Sequence, residues 1–203
     1  MKKSFWDRTA KIYDRFMRKD SKAYEQMYAL IKPVVRHKQV LELATGTGLI
    51  AKHIVRFADH IEATDASADM IEQAKQGIKS KKLHFSVQDM FCLPYADSSF
   101  DVVIVSNALH IVPNPENALA EIRRVLKDDG VLIAPTFTHA GNDFLGNVKA
   151  FFMKLVGFRQ YSKWSSESYL DFLRIQGWNV QKSEVLNASF PLTYAECRKG
   201  ETL

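Results

Sequence analysis

Between Val40 and Ile54 the chain reads VLELATGTGLIAKHI. An apolar run meets Gly46 and Gly48, and the spacing of apolar residues then becomes helical. No other stretch narrows the possible folds as much. A strand that ends in two close glycines and re-enters as a helix is the first turn of a doubly wound α/β sheet. Glycine lets backbone approach a ligand closely, and a helix N-terminus offers unpaired N–H groups. Ligands of such sheets bind at the carboxyl ends of the strands.

The rest of the chain repeats the alternation. Strands are expected over Gln39–Ala44, Ile61–Asp65, Leu83–Gln88, Phe100–Ser106 and Val131–Phe137. Helices are expected over Leu49–Phe57, from a Ser67 cap to about Ile78, and over Pro115–Leu126 with proline near its start. Turns fall at Asp97–Ser99 and at Asp128-Asp129-Gly130. The run FDVVIVS has the apolar character of a strand buried on both faces. Beyond His139 the alternation stops. Ser168–Gln176 reads as a helix ended by Gly177, and Asn179–Leu186 and Leu192–Arg198 read as an antiparallel pair. The expected architecture is a Rossmann-like, mostly parallel α/β sheet of about seven strands, the last antiparallel.

Two more segments complete it. Residues 5–36 carry apolar residues at helical spacing, as two helices broken near Lys19–Ser21, and Pro33 limits the second. Phe144, Leu145, Val148, Phe151, Phe152, Leu155 and Val156 form a helical stripe suited to a lid. The reading is one domain with an N-terminal helical cap over 1–37, a cofactor-binding core over 38–137, a lid insert over 138–165, and a C-terminal helix and strands over 166–203.

Charge and cysteine content exclude several classes. The net charge of +5 is concentrated in residues 1–40, which hold eleven Lys/Arg against four Asp/Glu. Such a segment is a solvated helix surface, or it faces an acidic substrate, a phospholipid headgroup or RNA. Lys149, Lys154, Arg159 and Lys163 make the insert a second segment suited to peripheral membrane contact. Cys92 and Cys197 lie far apart and outside any CxxC pair, so neither zinc-ligand spacing nor a disulfide framework is present. The N-terminus lacks the apolar run of a secretory signal. A reducing cytoplasm is the expected location.

The glycine run fits two ligands. Gly46, Gly48 and Ala51 match G-x-G-x-x-G/A, with Asp65 about twenty residues on, as in a dinucleotide site. Two further acids point elsewhere. Glu42, at the end of the first strand, is unwelcome beside a pyrophosphate but suits a ligand carrying an ammonium group. Asp89, after the third strand in SVQDM, can accept from an exocyclic adenine amine. With these acids the chain resembles the class I S-adenosylmethionine (SAM)-dependent methyltransferases. More narrowly it is similar to the methyltransferase type 11 group, which includes ubiquinone/menaquinone-biosynthesis and phospholipid N-methyltransferases. LELATGTG, EATDAS and VQDMFCLPYADSSFDVVIVSNALH carry the resemblance, over about residues 38–137. The departure is Ala44, where many members have glycine.

The resemblance implies roles. Glu42 and the turn at Ala44, Gly46 and Gly48 would hold the methionine portion of SAM. Asp65 would bind the ribose hydroxyls, and Ala66 would pack near the adenine. Asp89 would take the adenine amine, with Met90 against the ring. Asn107 would lie beside the cofactor at the end of strand four. Tyr13, in IYDRF, would close over the site. The product would be S-adenosylhomocysteine (SAH). His110, just after strand four, is the candidate base that deprotonates or orients the acceptor, and His139 is a second candidate. No metal is expected. The acceptor is expected to be a small or lipid-like molecule. The segment Ser106-Asn107-Ala108-Leu109-His110 lacks the Asn/Asp-Pro-Pro-Tyr/Phe pattern of amino-methylating DNA enzymes, and a charge of +5 is modest for a nucleic-acid binder. An NAD(P)-dependent oxidoreductase and a non-catalytic SAM-binding regulator are the competing readings.

Overall fold

The computed structural model describes residues 18–139 and 161–200. Tyr13, the first expected helix and the Phe144–Val156 stripe therefore lie outside the described residues.

A short 3-10 turn, Arg18–Asp20, opens directly into α1 (Ser21–Val34). Pro33 sits in the last turn of α1, where the helix ends one residue later. The strands and helices then alternate: β1 (Gln39–Leu43), α2 (Leu49–Ile54), β2 (His60–Asp65), α3 (Ala68–Ala74), β3 (Leu83–Val87), β4 (Phe100–Val105), α4 (Pro115–Val125) and β5 (Leu126–Ile133). The two-residue strand β6 (Thr136–Phe137) continues β5 past Pro135. Then come α5 (Ser166–Ile175), β7 (Trp178–Leu186) and β8 (Leu192–Lys199). Ser67 caps α3 by accepting from the Met70 N–H at 3.2 Å. Ser165 and Ser168 form a reciprocal capping box on α5.

The sheet runs β3-β2-β1-β4-β5-β8, with β6 also on β8 and β7 on its other side. The first five strands are parallel, and β8 is antiparallel to β5, β6 and β7. Side chains alternate across each strand and fill a separate core on either face. Val40, Ile61, Ala63, Val102 and Ile104 pack beneath Met27, Ile31, Ile54 and Ile71. Leu41, Leu43, Val103 and Val105 pack beneath Leu119, Ile122, Tyr169 and Leu173. This double burial explains why FDVVIV is apolar almost throughout. Among the described residues no helix is long and apolar enough to cross a membrane.

One expected turn is placed differently. Asp128-Asp129-Gly130 lies inside β5, as a bulge. Phe100 pairs with Leu126, but Val102 pairs with Val131, so the intervening residues leave the ladder. The chain enters pairing with β4 as soon as α4 ends, and its turn-forming residues are spent within the strand. Two helices are also shorter than their apolar spacing implied. After Ile54 and after Ala74 the chain tightens into turns over 55–57 and 75–77.

Candidate functional site

The strand order places the candidate residues in a row along the carboxyl edge. Asp89 follows β3, Asp65 ends β2, the glycine turn follows β1, and Asn107 follows β4.

The turn adopts left-handed backbone at Ala44 (φ 51°), Gly46 (φ 57°) and Gly48 (φ 77°). Glycine carries this conformation without strain, whereas alanine pays for it with a Cβ–carbonyl clash. The Thr45 N–H donates to the Thr64 carbonyl at 2.9 Å, which fastens the turn to the end of β2. Gly48 also answers a packing need. A Cβ there would stand 2.9 Å from the Phe85 ring and 3.4 Å from the Ala74 Cβ.

Asp65 and the turn meet directly. Oδ2 of Asp65 accepts the Gly46 N–H at 2.8 Å, and Oδ1 accepts the Ser67 N–H at 2.9 Å. The carboxylate is thus held in one orientation, against the turn. Ala66, beside it, is exposed.

Glu42 lies under the turn, 2% exposed. Its Oε2 and the Thr45 Oγ1 are buried without a hydrogen-bond partner. Burial pushes the Glu42 carboxyl up to about 8, and the Ala51 backbone and the nearby Thr45 hydroxyl draw it back only partly. Buried polar atoms left in this state are costly. Here they form an acceptor site facing the glycine turn, and an ammonium group fits it in charge and in donor count.

Asp89 is exposed and forms a local turn, its Oδ1 accepting the Phe91 N–H at 3.0 Å. Met90 packs partly against the core on the α4 side. A clamp that the sequence did not reveal holds the segment that follows. Arg124 on α4 donates to the carbonyls of Tyr95 (2.7 Å) and Leu93 (3.1 Å) and to Asp97 Oδ1 (2.8 Å). It also pairs with Glu121, whose Oε1 accepts the Leu93 N–H at 2.8 Å. The only sequence signal was a Glu and an Arg at i and i+3 on a helix, a spacing that normally marks a solvated pair.

Asn107 also sits at positive φ, 53°. Its Nδ2 donates to the Tyr24 hydroxyl at 3.1 Å, and its Oδ1 accepts the Phe137 N–H at 3.0 Å. One carboxamide therefore ties α1, β4 and β6 together at the edge of the site. His110 lies deeper. It is 6% exposed, and its Nδ1 is 2.8 Å from the Thr136 Oγ1. Burial, and His139 nearby, lower it to about 4, so its imidazole is neutral and weakly basic at neutral pH. Trp164 stacks on Phe172 of α5 at 4.8 Å between ring centroids.

The sequence profile described as "Methyltransferase domain" matches residues 41–134, the strands and turns that carry this row. Over 210 aligned residues the chain is 34% identical to a demethylmenaquinone methyltransferase of Thermotoga maritima, covering 94% of this chain and 90% of that protein. Among solved structures it resembles a methyltransferase in complex with the Haloferax volcanii Trm112 activator, with a TM-score of 0.80, 19% identity, and 98% and 97% of the two chains covered. It also resembles the Burkholderia thailandensis 1,6-didemethyltoxoflavin-N1-methyltransferase, crystallised with its substrate and SAH, with a TM-score of 0.72, 17% identity, and 93% and 83% covered.

Proposed function

This chain belongs to the methyltransferase domain family and is a SAM-dependent methyltransferase, and from that premise we propose that its acceptor is a hydroquinone-type ring bearing a lipid-like tail, methylated on carbon. The observation that carries the reading is the near full-length relation to a demethylmenaquinone methyltransferase. The rings of Phe137 and Phe190, 6.4 Å apart at the end of β6, support a flat acceptor. The basic excess of residues 1–40 supports contact with the anionic bilayer face where such an acceptor resides.

In this reading Glu42, Thr45 and the turn at Ala44, Gly46 and Gly48 hold the methionine end. Asp65 holds the ribose hydroxyls, Ala66 and Met90 flank the adenine, and Asp89 accepts from its amine. Asn107 borders the reacting centre. SAM supplies a methyl group already activated by its sulfonium. The protein supplies alignment, worth ~7–11 kcal/mol when nucleophile and methyl are held in line. Removal of a proton from the acceptor adds ~10²–10⁴-fold.

The test is methyl transfer from SAM to a 2-prenyl-1,4-naphthohydroquinone kept reduced under argon. The expected products are SAH and the ring-methylated hydroquinone. SAM binding without methylation of this acceptor would reject the hydroquinone reading and leave the methyltransferase assignment in place.

Glu42 gives this reading a pH signature. Its carboxyl ionises near 4.5 in the unfolded chain and at about 8 in the folded one. Between those values the fold retains a proton that the unfolded chain releases, so this contribution to stability is lost as pH rises from 4.5 toward 8. An ammonium group seated on Glu42 favours the charged carboxylate. SAM binding near pH 7 is expected to release close to one proton, read as calorimetric heats that change with the ionisation enthalpy of the buffer. Glu42→Gln should remove that buffer dependence. Equal heats in phosphate and Tris for the wild type would count against it.

A further inference from the structure

With ribose and adenine assigned to the β2 and β3 ends, the acceptor approaches over the ends of β4, β5 and β6. Side chains at the end of β6 alternate. Thr136 and Thr138, each 1% exposed, turn inward, toward His110 and the Thr193 hydroxyl (2.9 Å) respectively. Phe137 and His139 take the opposite side, and both are partly exposed. Phe190, from the loop between β7 and β8, stands edge-on to both rings, at 6.4 Å and 67° to Phe137 and at 6.4 Å and 78° to His139.

The backbone beside each ring is tied down. The His139 N–H donates to the Trp164 carbonyl at 2.9 Å, and the Phe137 N–H to Asn107 at 3.0 Å. Ser189, next to Phe190, donates its N–H (2.6 Å) and its hydroxyl (2.7 Å) to Asp20 Oδ1. The backbone that carries these three aromatic rings, one of them ionisable, is thus tied at three points. His110 faces the other way, onto Thr136, from a buried position. Among the described residues, His110 is the titratable group whose imidazole feels the charge of His139.

Resting on the hydroquinone reading above, we infer that His139 is the residue that meets the acceptor hydroxyl, between Phe137 and Phe190, and that His110 supports the wall from within. The O–H proton passes to an imidazole nitrogen of His139, and the freed electron pair is delocalised onto the adjacent ring carbon. That carbon bonds to the methyl while the methyl–sulfur bond breaks with its pair retained by sulfur. The ring C–H proton is lost to water, its bonding pair restores the aromatic ring, and His139 returns its proton to the oxygen. The net change is one methyl gained, one ring proton released and no change in oxidation state of the ring system, so no external oxidant or reductant is needed.

The test compares the wild type with His139→Gln, His139→Ala and His110→Gln on the naphthohydroquinone, with SAM affinity measured alongside. His139→Gln is expected to lower kcat by ~10²–10⁴-fold. SAM affinity should stay within about twofold, since the residue touches only the acceptor half. The acidic limb of the pH–rate profile should disappear, and added imidazole should restore part of the His139→Ala rate. Unchanged SAM affinity shows that the variants fold. A kcat within about threefold of wild type in His139→Gln overturns the inference. So does loss of the acidic limb in His110→Gln alone. A wild type that binds SAM and leaves the hydroquinone untouched overturns the acceptor reading itself, and with it the role of His139.

Discussion

Asp65→Ala is expected to weaken SAH binding by at least about 100-fold. In the proposed site its carboxylate meets two ribose hydroxyls, and hydrogen bonds to a charged group contribute ~1.5–3 kcal/mol each. Two such bonds amount to ~3–6 kcal/mol, or ~10²–10⁴-fold in affinity. The substitution also frees the Gly46 and Ser67 N–H groups that Asp65 holds at 2.8 and 2.9 Å. That loosens the turn that is to receive the methionine end. Asp65→Asn retains an acceptor oxygen and should fall between the two. Titration calorimetry with SAH reads the effect without turnover, and a thermal melt of the unliganded variant separates lost contact from lost fold. Retention of affinity within about fivefold in Asp65→Ala would sink the ribose assignment.

Gly48→Ala should be the most damaging small change to stability in the turn. Two costs add. Alanine at φ 77° carries the left-handed penalty of ~1–2 kcal/mol. Its Cβ would also stand 2.9 Å from the Phe85 ring, which is 6% exposed and packed in the core. Overpacking of that kind costs ~1–3 kcal/mol. The total of ~2–5 kcal/mol corresponds to a melting temperature lower by about 5–15 °C for a chain of this size. Gly48→Ala combined with Phe85→Leu should recover the packing part and leave the backbone part. A single variant that melts within about 2 °C of wild type would refute both the strain and the clash.

The sequence made the parallel sheet readable because its evidence is local. Apolar runs such as FDVVIV, a glycine turn and short connections determine order and direction within a few residues. The same locality explains Asp65, whose place depends only on the strand that it ends. Contacts between distant residues were not readable. Nothing in SKAYEQ or SNALH announces that Asn107 reaches Tyr24, 83 positions away. The burial of His110 depends on Thr136 and on the 161–162 segment, whose N–H groups donate to its carbonyl, and no periodicity reports that. Asp128-Asp129-Gly130 has turn chemistry, yet pairing with β4 at Leu126 turned it into a bulge. Composition likewise does not distinguish a ring that faces a ligand from one stacked on a neighbour, as Trp164 is on Phe172.

The position of β8 has a consequence for how the chain comes to be folded in a cell. It is the last strand among the described residues, yet it lies inside the sheet, bonded to β5, β6 and β7. During synthesis the parallel half of the sheet, β1 to β5, can assemble while residues 192–199 are still unmade. Until they emerge, β5 presents an unpaired edge, and unpaired edges invite association with other nascent chains. A polypeptide stopped at residue 190 would contain every residue of the cofactor row and would still expose a second edge, that of β7. Ribosome stalling or proteolytic trimming near the carboxyl end would therefore produce a species able to hold the cofactor groups in order and prone to aggregate.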